Sequence, residues 1–395
     1  MGLFSKYDDG FAELLNYSHM VAPEVMGLKG GGFLAGFWLT GPDIESSTGQ
    51  ELEHLSEMMA RAINQLDKKW CIHYEFFRRE AHNYPDGNFK ETTTKLIDKE
   101  RLAQFDKEGT HFESIQAIFV TYVPSSFDRS PLLQRIKKIL FGSDVENEDA
   151  VIEKQLERFE EVIRGLKDSI SLIMKIRRMT FHPDNVFPYS GTSELLEAVN
   201  ACVNGRWHPV RLPAFPYYLD CTLARDCING EQLEYNNEFV QCVSLVNYSA
   251  GTYPAILSAL QTLPISFRWS NRFIMTDMRE AMVQIETKRR QWSQKIRSLL
   301  SQITGLHTTR VNQDAVAMVE DLDNALQDAH SGEVAFGNHT STVILRSSNP
   351  AVLEDAAHEV MKIFERAGLG SRIESINNLE AFLGSLPGHG RENVR

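Results

Sequence analysis

The densest grouping of polar and aromatic side chains in this chain is Arg268-Trp269-Ser270-Asn271-Arg272-Phe273. On an extended backbone side chains alternate, so Arg268, Ser270 and Arg272 share one face and Trp269, Asn271 and Phe273 the other. Guanidinium pairs recognise carboxylates and phosphates through fixed, bidentate donors. Two readings stay open. One is a strand with a packed aromatic face and an exposed arginine pair. The other is an arginine platform for a partner's carboxylate or phosphate. A second basic stretch, Lys288, Arg289, Arg290, Lys295 and Arg297, lies further along.

Other chemistry is hard to find. A phosphate-binding loop needs backbone N–H groups, a Lys and a Ser/Thr in the pattern GxxxxGK[ST]. The chain has no Gly-Lys dipeptide. Gly27 to Gly32 is glycine-rich but precedes a strand, so it reads as a turn. There is no GxSxG elbow and no HExxH pair. Glu160 and Glu161 are adjacent on a predicted helix and point apart, as solvated charges do. The cysteines, Cys71, Cys202, Cys221, Cys227 and Cys242, are odd in number, irregular in spacing and without a CxxC pair, which suits free thiols in a reducing compartment. A zinc site from His208, Cys221 and Cys227 would need unusual spacing.

The composition is that of a folded protein: 395 residues, 42% hydrophobic and 24% charged. The net charge of −12 argues against a general affinity for nucleic acid. No apolar run approaches the ~20 residues of a membrane span. Met1 to Asn16, which carries Lys6, Asp8, Asp9 and Glu13, reads as neither signal peptide nor anchor.

The elements that must position these residues follow from periodicity. Phe33 to Leu39 is a strand between glycine turns. Leu52, Leu55, Met59, Ile63 and Leu66 mark a helix capped by Ser47 or Thr48. Trp70 to Arg78 alternates as a half-buried strand, Tyr84 to Gly87 turns, Glu91 to Lys107 is a polar helix, and His111 to Val123 is a strand. The stripe Ile152, Leu156, Phe159, Ile163, Leu166, Ile170, Ile173 and Ile176 predicts one long helix over Asn147 to Arg178. Pro183 to Pro188 breaks the chain, and Pro209, Pro213 and Pro216 punctuate an irregular segment. The second half reads strand Phe239 to Val246, helix Pro254 to Leu263, strand Ile265 to Thr276, helices Met278 to Gln302 and Ala315 to Ala329, strand Val334 to Arg346, helix Pro350 to Ala367 and strand Arg372 to Ile376. The expected fold is α+β: two units with mixed or antiparallel sheets, the second ferredoxin-like with an inserted helical hairpin, joined by a long helix. The expected division is 1–145, a helical connector over 146–205, 206–380, and a linker beginning at 381–395.

One spaced series is distinctive. It comprises Gly41-Pro42-Asp43, Trp70, Arg78-Arg79, Tyr84-Pro85, Gly109-Thr110-His111-Phe112-Glu113-Ser114, Phe267 to Phe273, Arg289-Arg290-Gln291-Trp292, Leu383-Gly384-Ser385-Leu386-Pro387-Gly388-His389 and Asn393-Val394-Arg395. Over essentially the whole chain it resembles the N-terminal region of conjugal-transfer TrbE proteins, in the CagE/TrbE/VirB family of type IV secretion ATPases. The resemblance implies a cytoplasmic protein at the inner membrane, with a RecA-like ATPase motor following the Ser-Leu-Pro-Gly stretch. No Walker residue here matches that motor. ATP and magnesium are therefore expected only for a missing C-terminal domain, and no catalytic, cofactor or metal residue is assigned.

The expectation is a non-catalytic assembly and docking region, peripheral at the inner membrane. It would link a motor to inner-membrane secretion subunits and neighbouring protomers. Interaction candidates are Arg268, Trp269, Asn271, Arg272, Arg289, Arg290, Leu386, Pro387 and Gly388. The alternative is a nucleic-acid-binding accessory module using the basic helix with Arg268 and Arg272. That alternative predicts salt-dependent DNA binding in an anisotropy titration, and an absence of binding at low salt removes it.

Overall fold

A computed structural model describes residues 10–42, 44, 46–81, 83–85, 87–124, 148–184, 190–212, 217–230, 232–248, 255–303, 313–331, 334 and 336–391. The Pro213/Pro216 punctuation, most of the Pro183–Pro188 break, Asp43, Asp86 and Asn393 to Arg395 lie outside them.

The first half runs α1 (Phe11–Leu14), β1 (Tyr17–Ala22), β2 (Val25–Leu28), β3 (Phe33–Thr40), α2 (Gly49–Ile63), β4 (Trp70–Ala81), α3 (Thr92–Glu108), β5 (His111–Tyr122), α4 (Glu148–Ser171) and β6 (Lys175–Arg178). A short link follows: β7 (Phe181–Pro183), β8 (Gly191–Ser193), α5 (Glu194–Asn204) and β9 (Arg211–Leu212). The second half runs α6 (Leu219–Leu223), β10 (Cys227–Asn229), β11 (Leu233–Tyr235), β12 (Glu238–Asn247), a 3-10 turn (Ser258–Thr262), β13 (Phe267–Met275), α7 (Met278–Ile303), α8 (Gln313–Ser331), β14 (Gly337–Ser347), α9 (Pro350–Arg366), β15 (Gly370–Ile373) and α10 (Asn378–Gly384).

Local chemistry explains the helix starts. Thr48 caps α2 in a capping box: its hydroxyl accepts from Glu51 N–H, and Glu51 accepts from Thr48 N–H at 2.7 Å. Ser193 caps α5, and Gly205, at φ +70°, closes its C-terminus in the left-handed conformation. Asn349 and Pro350 open α9.

The sheet is antiparallel in order β1-β2-β3-β5-β4-β13-β14-β12-β11-β10, with β6 also on β3 and β15 also on β12. Both halves therefore share one plan. In the first, β6-β3-β5-β4 stand side by side; in the second, β15-β12-β14-β13 do. In chain order each is 4-1-3-2, the ferredoxin-like arrangement. Each carries a helical insertion between its second and third strands, α3 in one and the α7–α8 hairpin in the other. Each also begins with a short helix and a small hairpin. The halves meet edge to edge through β4 and β13, paired antiparallel from Phe267 opposite Arg78 to Ile274 opposite Cys71.

One sheet face carries two helix-backed cores. Phe159, Ile163, Leu166 and Ile170 of α4 pack with Ala62 of α2 on Phe33, Phe37, Ile72, Ile118 and Val120. Leu353, Ala357, Val360 and Phe364 of α9 pack on Val243, Phe267, Val343 and Leu345. The opposite face is covered across both halves by α1, α5, α6 and α10, with Leu196, Val199, Phe382 and Leu386 on Leu34, Phe77, Phe119, Cys242 and Ile344.

Several expectations change. The helix from 147 ends at Ser171, and Ile176 belongs to β6. This helix does not bridge the two units; it lies on the first unit's sheet, because its apolar stripe meets Phe33 and Trp70. β4 is not half-buried: Cys71, His73 and Glu75 are as inaccessible as the aromatic side, because a second layer covers them. The helix at Pro254 to Leu263 reduces to the 3-10 turn.

A continuous sheet predicts one cooperative unit. Phe159→Ala and Phe364→Ala empty the two separate helix-backed cores, each at a cost of about 3–5 kcal/mol. Both should lower the same single urea transition. Two separated transitions, one moved by each variant, would refute the coupling.

Candidate functional site: a buried ionic seam and the strap it holds

The polar face of β13 does not look outward. Arg268 and Arg272 are 6% and 2% exposed, and Ser270 and Glu75 are 1% and 0%. Register places Ser270 opposite Glu75 at the seam between the halves, with Arg268 opposite Phe77 and Arg272 opposite His73. The Arg268 guanidinium donates to Glu75 Oε2 at 2.9 Å, and the Ser270 hydroxyl donates to Glu75 Oε1 at 2.6 Å. Arg268 also donates to the Ser385 carbonyl at 2.8 Å and the Ser385 hydroxyl at 2.6 Å, and Ser270 reaches the same carbonyl at 3.0 Å. Arg272 donates to the Arg391 carbonyl at 2.9 Å, to the His389 carbonyl at 3.4 Å and to Thr340 Oγ1 at 3.3 Å.

The arginine platform therefore binds the chain's own segment 385–391, a strap that follows α10. The strap is built by its sequence. His389 N–H returns to the Leu386 carbonyl at 3.1 Å, and Gly388 sits at φ +90°. Leu386-Pro387-Gly388-His389 is thus a turn with Pro at its second position and a positive-φ Gly at its third, the type II pattern. A Cβ on Gly388 would also come within 3.1 Å of Leu28. Leu386 is buried, the Tyr17 hydroxyl donates to the Pro387 carbonyl at 2.7 Å, and Asn16 Nδ2 donates to the Gly388 carbonyl at 2.9 Å. Residues 384–391, expected to open a linker, are packed on the sheet; their Gly and Pro serve this turn.

The electrostatics follow from the burial. Burial pushes the Glu75 carboxyl up to about 7, against the pull of Arg268 and Ser270. Burial opposes the charge on Arg268, but Glu75 together with the neighbouring Cys202 and Cys242 holds the guanidinium above its usual value. Burial, with Arg272 next, holds His73 well below an ordinary histidine and brings His389 down to about 4. The buried thiols Cys71 and Cys242 are pushed up to about 12 by burial, and Cys202 is raised as well. Thiols held protonated are poor nucleophiles and poor metal ligands. Among the described residues no three His, Cys, Asp or Glu side chains converge on a metal-sized space. The seam's polar groups bind and orient backbone; none is presented to solvent as a nucleophile or base.

The remaining candidates separate from this site. Trp269 and Asn271 lie on the helix-backed side, where Trp269 Nε1 donates to Ser341 Oγ at 2.8 Å. Arg289 and Arg290 are exposed on α7, paired with Asp323 of α8 and with Glu286. Sequence reasoning assigned no role to Glu75, Ser270, Ser385, Tyr17 and Asn16. A lone Glu on a strand with aromatic alternation was the one available signal for Glu75.

Two antiparallel ferredoxin-like units, sewn at a buried ionic seam and tied by a strap, define the class of protein. A family model described as "CagE, TrbE, VirB family, component of type IV transporter system" matches residues 188–395, and one described as "Type IV secretion system ATPase VirB4/TrbE, N-terminal domain" matches residues 24–129. The chain belongs to the CagE/TrbE/VirB family. It is 34% identical over 391 residues to conjugal transfer protein TrbE of Rhizobium radiobacter, covering 98% of this chain and 47% of that protein. In Sinorhizobium fredii the probable conjugal transfer protein TrbE is divided into two pieces. The second piece is 34% identical over 243 residues, covering 60% of this chain and 36% of that protein. The first piece is 35% identical over 127 residues, covering 31% of this chain and 85% of that protein. The chain thus spans about half the length of the Rhizobium relative.

Three substitutions test the site. Arg268→Met strands the buried Glu75 and the Ser385 carbonyl and should cost about 3–5 kcal/mol. Glu75→Gln leaves the buried Arg268 guanidinium without its counterion and should also cost about 3–5 kcal/mol by urea titration. A cost under about 1 kcal/mol for either variant would sink this account of the seam. The pH test uses His389. Its folded pKa lies below the unfolded value, so the unfolded chain binds more protons between about pH 6.5 and 4. Its contribution is present above pH 6.5 and is lost as pH falls, by about 2–3 kcal/mol at pH 4. Glu75, raised by burial, works in the opposite direction over part of this window. The readout is therefore the difference between the parent and His389→Gln, whose stability gap should shift in favour of the variant on acidification.

Proposed function

We propose that this chain is the assembly and docking region of a type IV secretion ATPase of the conjugal-transfer kind. In this reading it does no chemistry itself. It joins a motor to inner-membrane secretion subunits and to neighbouring protomers, and it sits peripherally at the cytoplasmic face of the inner membrane. ATP and magnesium are held elsewhere in the longer protein. The observation that carries the reading is the strap. The Ser-Leu-Pro-Gly stretch, which in this reading leads toward the motor, is fastened by Arg268, Ser270, Arg272 and Tyr17 to the seam where the two halves meet. Movement of that segment is thereby coupled to both halves at once.

Other features support it. The sequence carries no Gly-Lys for a phosphate loop. Among the described residues no helix is long and apolar enough to cross a membrane, and in this reading the bilayer is reached through partners. Helix α3 has no buried residue, and Leu96, Ile97 and Leu102 stand exposed on it, as on a surface meant for another protein. Burial of Arg268 and Arg272 takes them away from a nucleic-acid surface, and Arg289 and Arg290 are paired with Asp323 and Glu286.

The isolated chain is expected to show no ATP-dependent thermal shift and no turnover above a mock preparation. Immobilised, it should capture inner-membrane subunits from the same secretion system, and substitution of Leu96 and Ile97 by Ser should reduce the capture. Turnover that copurifies with the chain through successive columns, or capture of none of those subunits, would overturn the proposal.

A further inference from the structure

Arg346, near the end of β14, is a cation without an anion. Its Nη2 donates to the Val203 carbonyl at 2.5 Å, and its guanidinium lies over Phe382 at 5.2 Å and Tyr235 at 5.6 Å. Gly205 makes room for it, since a Cβ there would fall 2.7 Å from its Cδ. No carboxylate among the described residues lies within ion-pairing distance, and its Nη1 is buried with no hydrogen-bond partner. Burial and the neighbouring Arg268 bring its pKa down to about 10. A partly buried guanidinium without a counterion is costly, and its charge is open to an anion from outside the chain.

Arg346 lines a cleft of about 1010 Å³ between the ends of β4, β13 and β14 and the loop after α5. Five arginines line this cleft: Arg78, Arg79, Arg206, Arg268 and Arg346. Glu113 neutralises Arg79 at 2.7 Å and Glu75 neutralises Arg268 at 2.9 Å. Three cations then face Glu80 and Glu238. The surplus is a single positive charge, which suits a monoanion. A phosphate dianion would leave the cleft negative beside Glu238. The volume far exceeds one carboxylate, and Ile265, Ile344 and Val352 give part of the wall an apolar character.

We propose that this cleft binds an acidic peptide segment of a partner protein, one of whose carboxylates completes Arg346 while its chain lies along the strand ends. Arg206, exposed at the rim, takes part in capture. Glu238, a lining carboxylate whose charge acts on Arg346, competes with the incoming one and sets a moderate affinity. This inference rests on the docking reading for the identity of its partner but is tested without it.

The probe is a fluorescein-labelled decapeptide with a single central Glu among Ala and Ser, titrated by anisotropy into the full chain at fixed ionic strength. A Gln-for-Glu peptide, glutarate and inorganic phosphate serve as competitors. The parent chain should bind the acidic peptide and not the Gln version. Arg206→Gln and Arg346→Gln should each weaken binding at least tenfold, and Glu238→Gln should tighten it several-fold. Arg206→Gln, at an exposed position, guards against misfolding of the Arg346 variant. Removal of an uncompensated buried charge should also leave Arg346→Gln no less thermally stable than the parent, and added peptide should raise the Tm of the parent alone. Binding by both arginine variants as tight as by the parent, no binding by the parent, or stronger competition by phosphate or glutarate than by unlabelled peptide would overturn the proposal. The two readings fail separately. Intact capture of secretion subunits without peptide binding sinks this one, and peptide binding without capture sinks the other.

Discussion

A carboxylate and a guanidinium removed from water have to satisfy one another and every remaining lone pair and N–H around them. Glu75 and Arg268 face that requirement at the middle of a sheet, on strands from different halves of the chain. Much of the architecture follows from meeting it. Ser270 supplies the second donor to the carboxylate, and the Ser385 carbonyl and hydroxyl take two more of the guanidinium hydrogens. Those acceptors arrive only if α10 and the strap are seated, and they are seated by Leu386, Phe382 and the Tyr17 hydroxyl. The pair therefore makes the two halves, the N-terminal strand and the C-terminal strap conditional on each other.

The shared plan of the halves gives this pair its position. Each half presents its second strand as a free edge, and an exposed edge is a liability that must be paired or covered. Pairing β4 with β13 removes both edges and puts the seam at the centre of one long sheet. Covering it from both sides then buries whatever the strands carry. The helix-backed side carries Ile72 and Phe76, which need only packing, with Tyr74 and Trp269, whose single polar atoms donate to Gln116 and Ser341. The other side carries His73, Glu75, Arg268, Ser270 and Arg272, which need partners as well. Specificity for the strap thus resides on the polar side.

Alternation along Phe267 to Phe273 was enough to put Arg268, Ser270 and Arg272 on one face, and the βαβ–αα–βαβ order was enough to suggest a ferredoxin-like second half. Exposure was not legible, because the residues that cover the arginines lie up to 119 positions away. The linker-like reading of 384–391 failed for a related reason: Gly and Pro mark a change of chain direction, and the same pair serves a loose segment or a tight turn. The duplicated plan left no trace of period in the sequence. A 15-residue helix in one half corresponds to a five-residue 3-10 turn in the other, and one inserted helix to a hairpin of two. What the halves keep in common is pairing order, a property of non-local hydrogen bonds. The long stripe over 147–178 was read one element too far because Ile176 continues the helical spacing after the backbone has turned at Ser171.

The strap runs along β13, with Ser385 beside Arg268 and Arg391 beside Arg272. This direction gives the attachment a mechanical anisotropy. Tension at residue 391 along the strand axis loads the guanidinium–carbonyl bonds, the Tyr17 bond and the buried Leu386 together, in shear. Tension normal to the sheet peels them in turn, first the carbonyl of Arg391, then His389, and the ionic core last. The same contacts would carry a steady longitudinal load and yield to a transverse one.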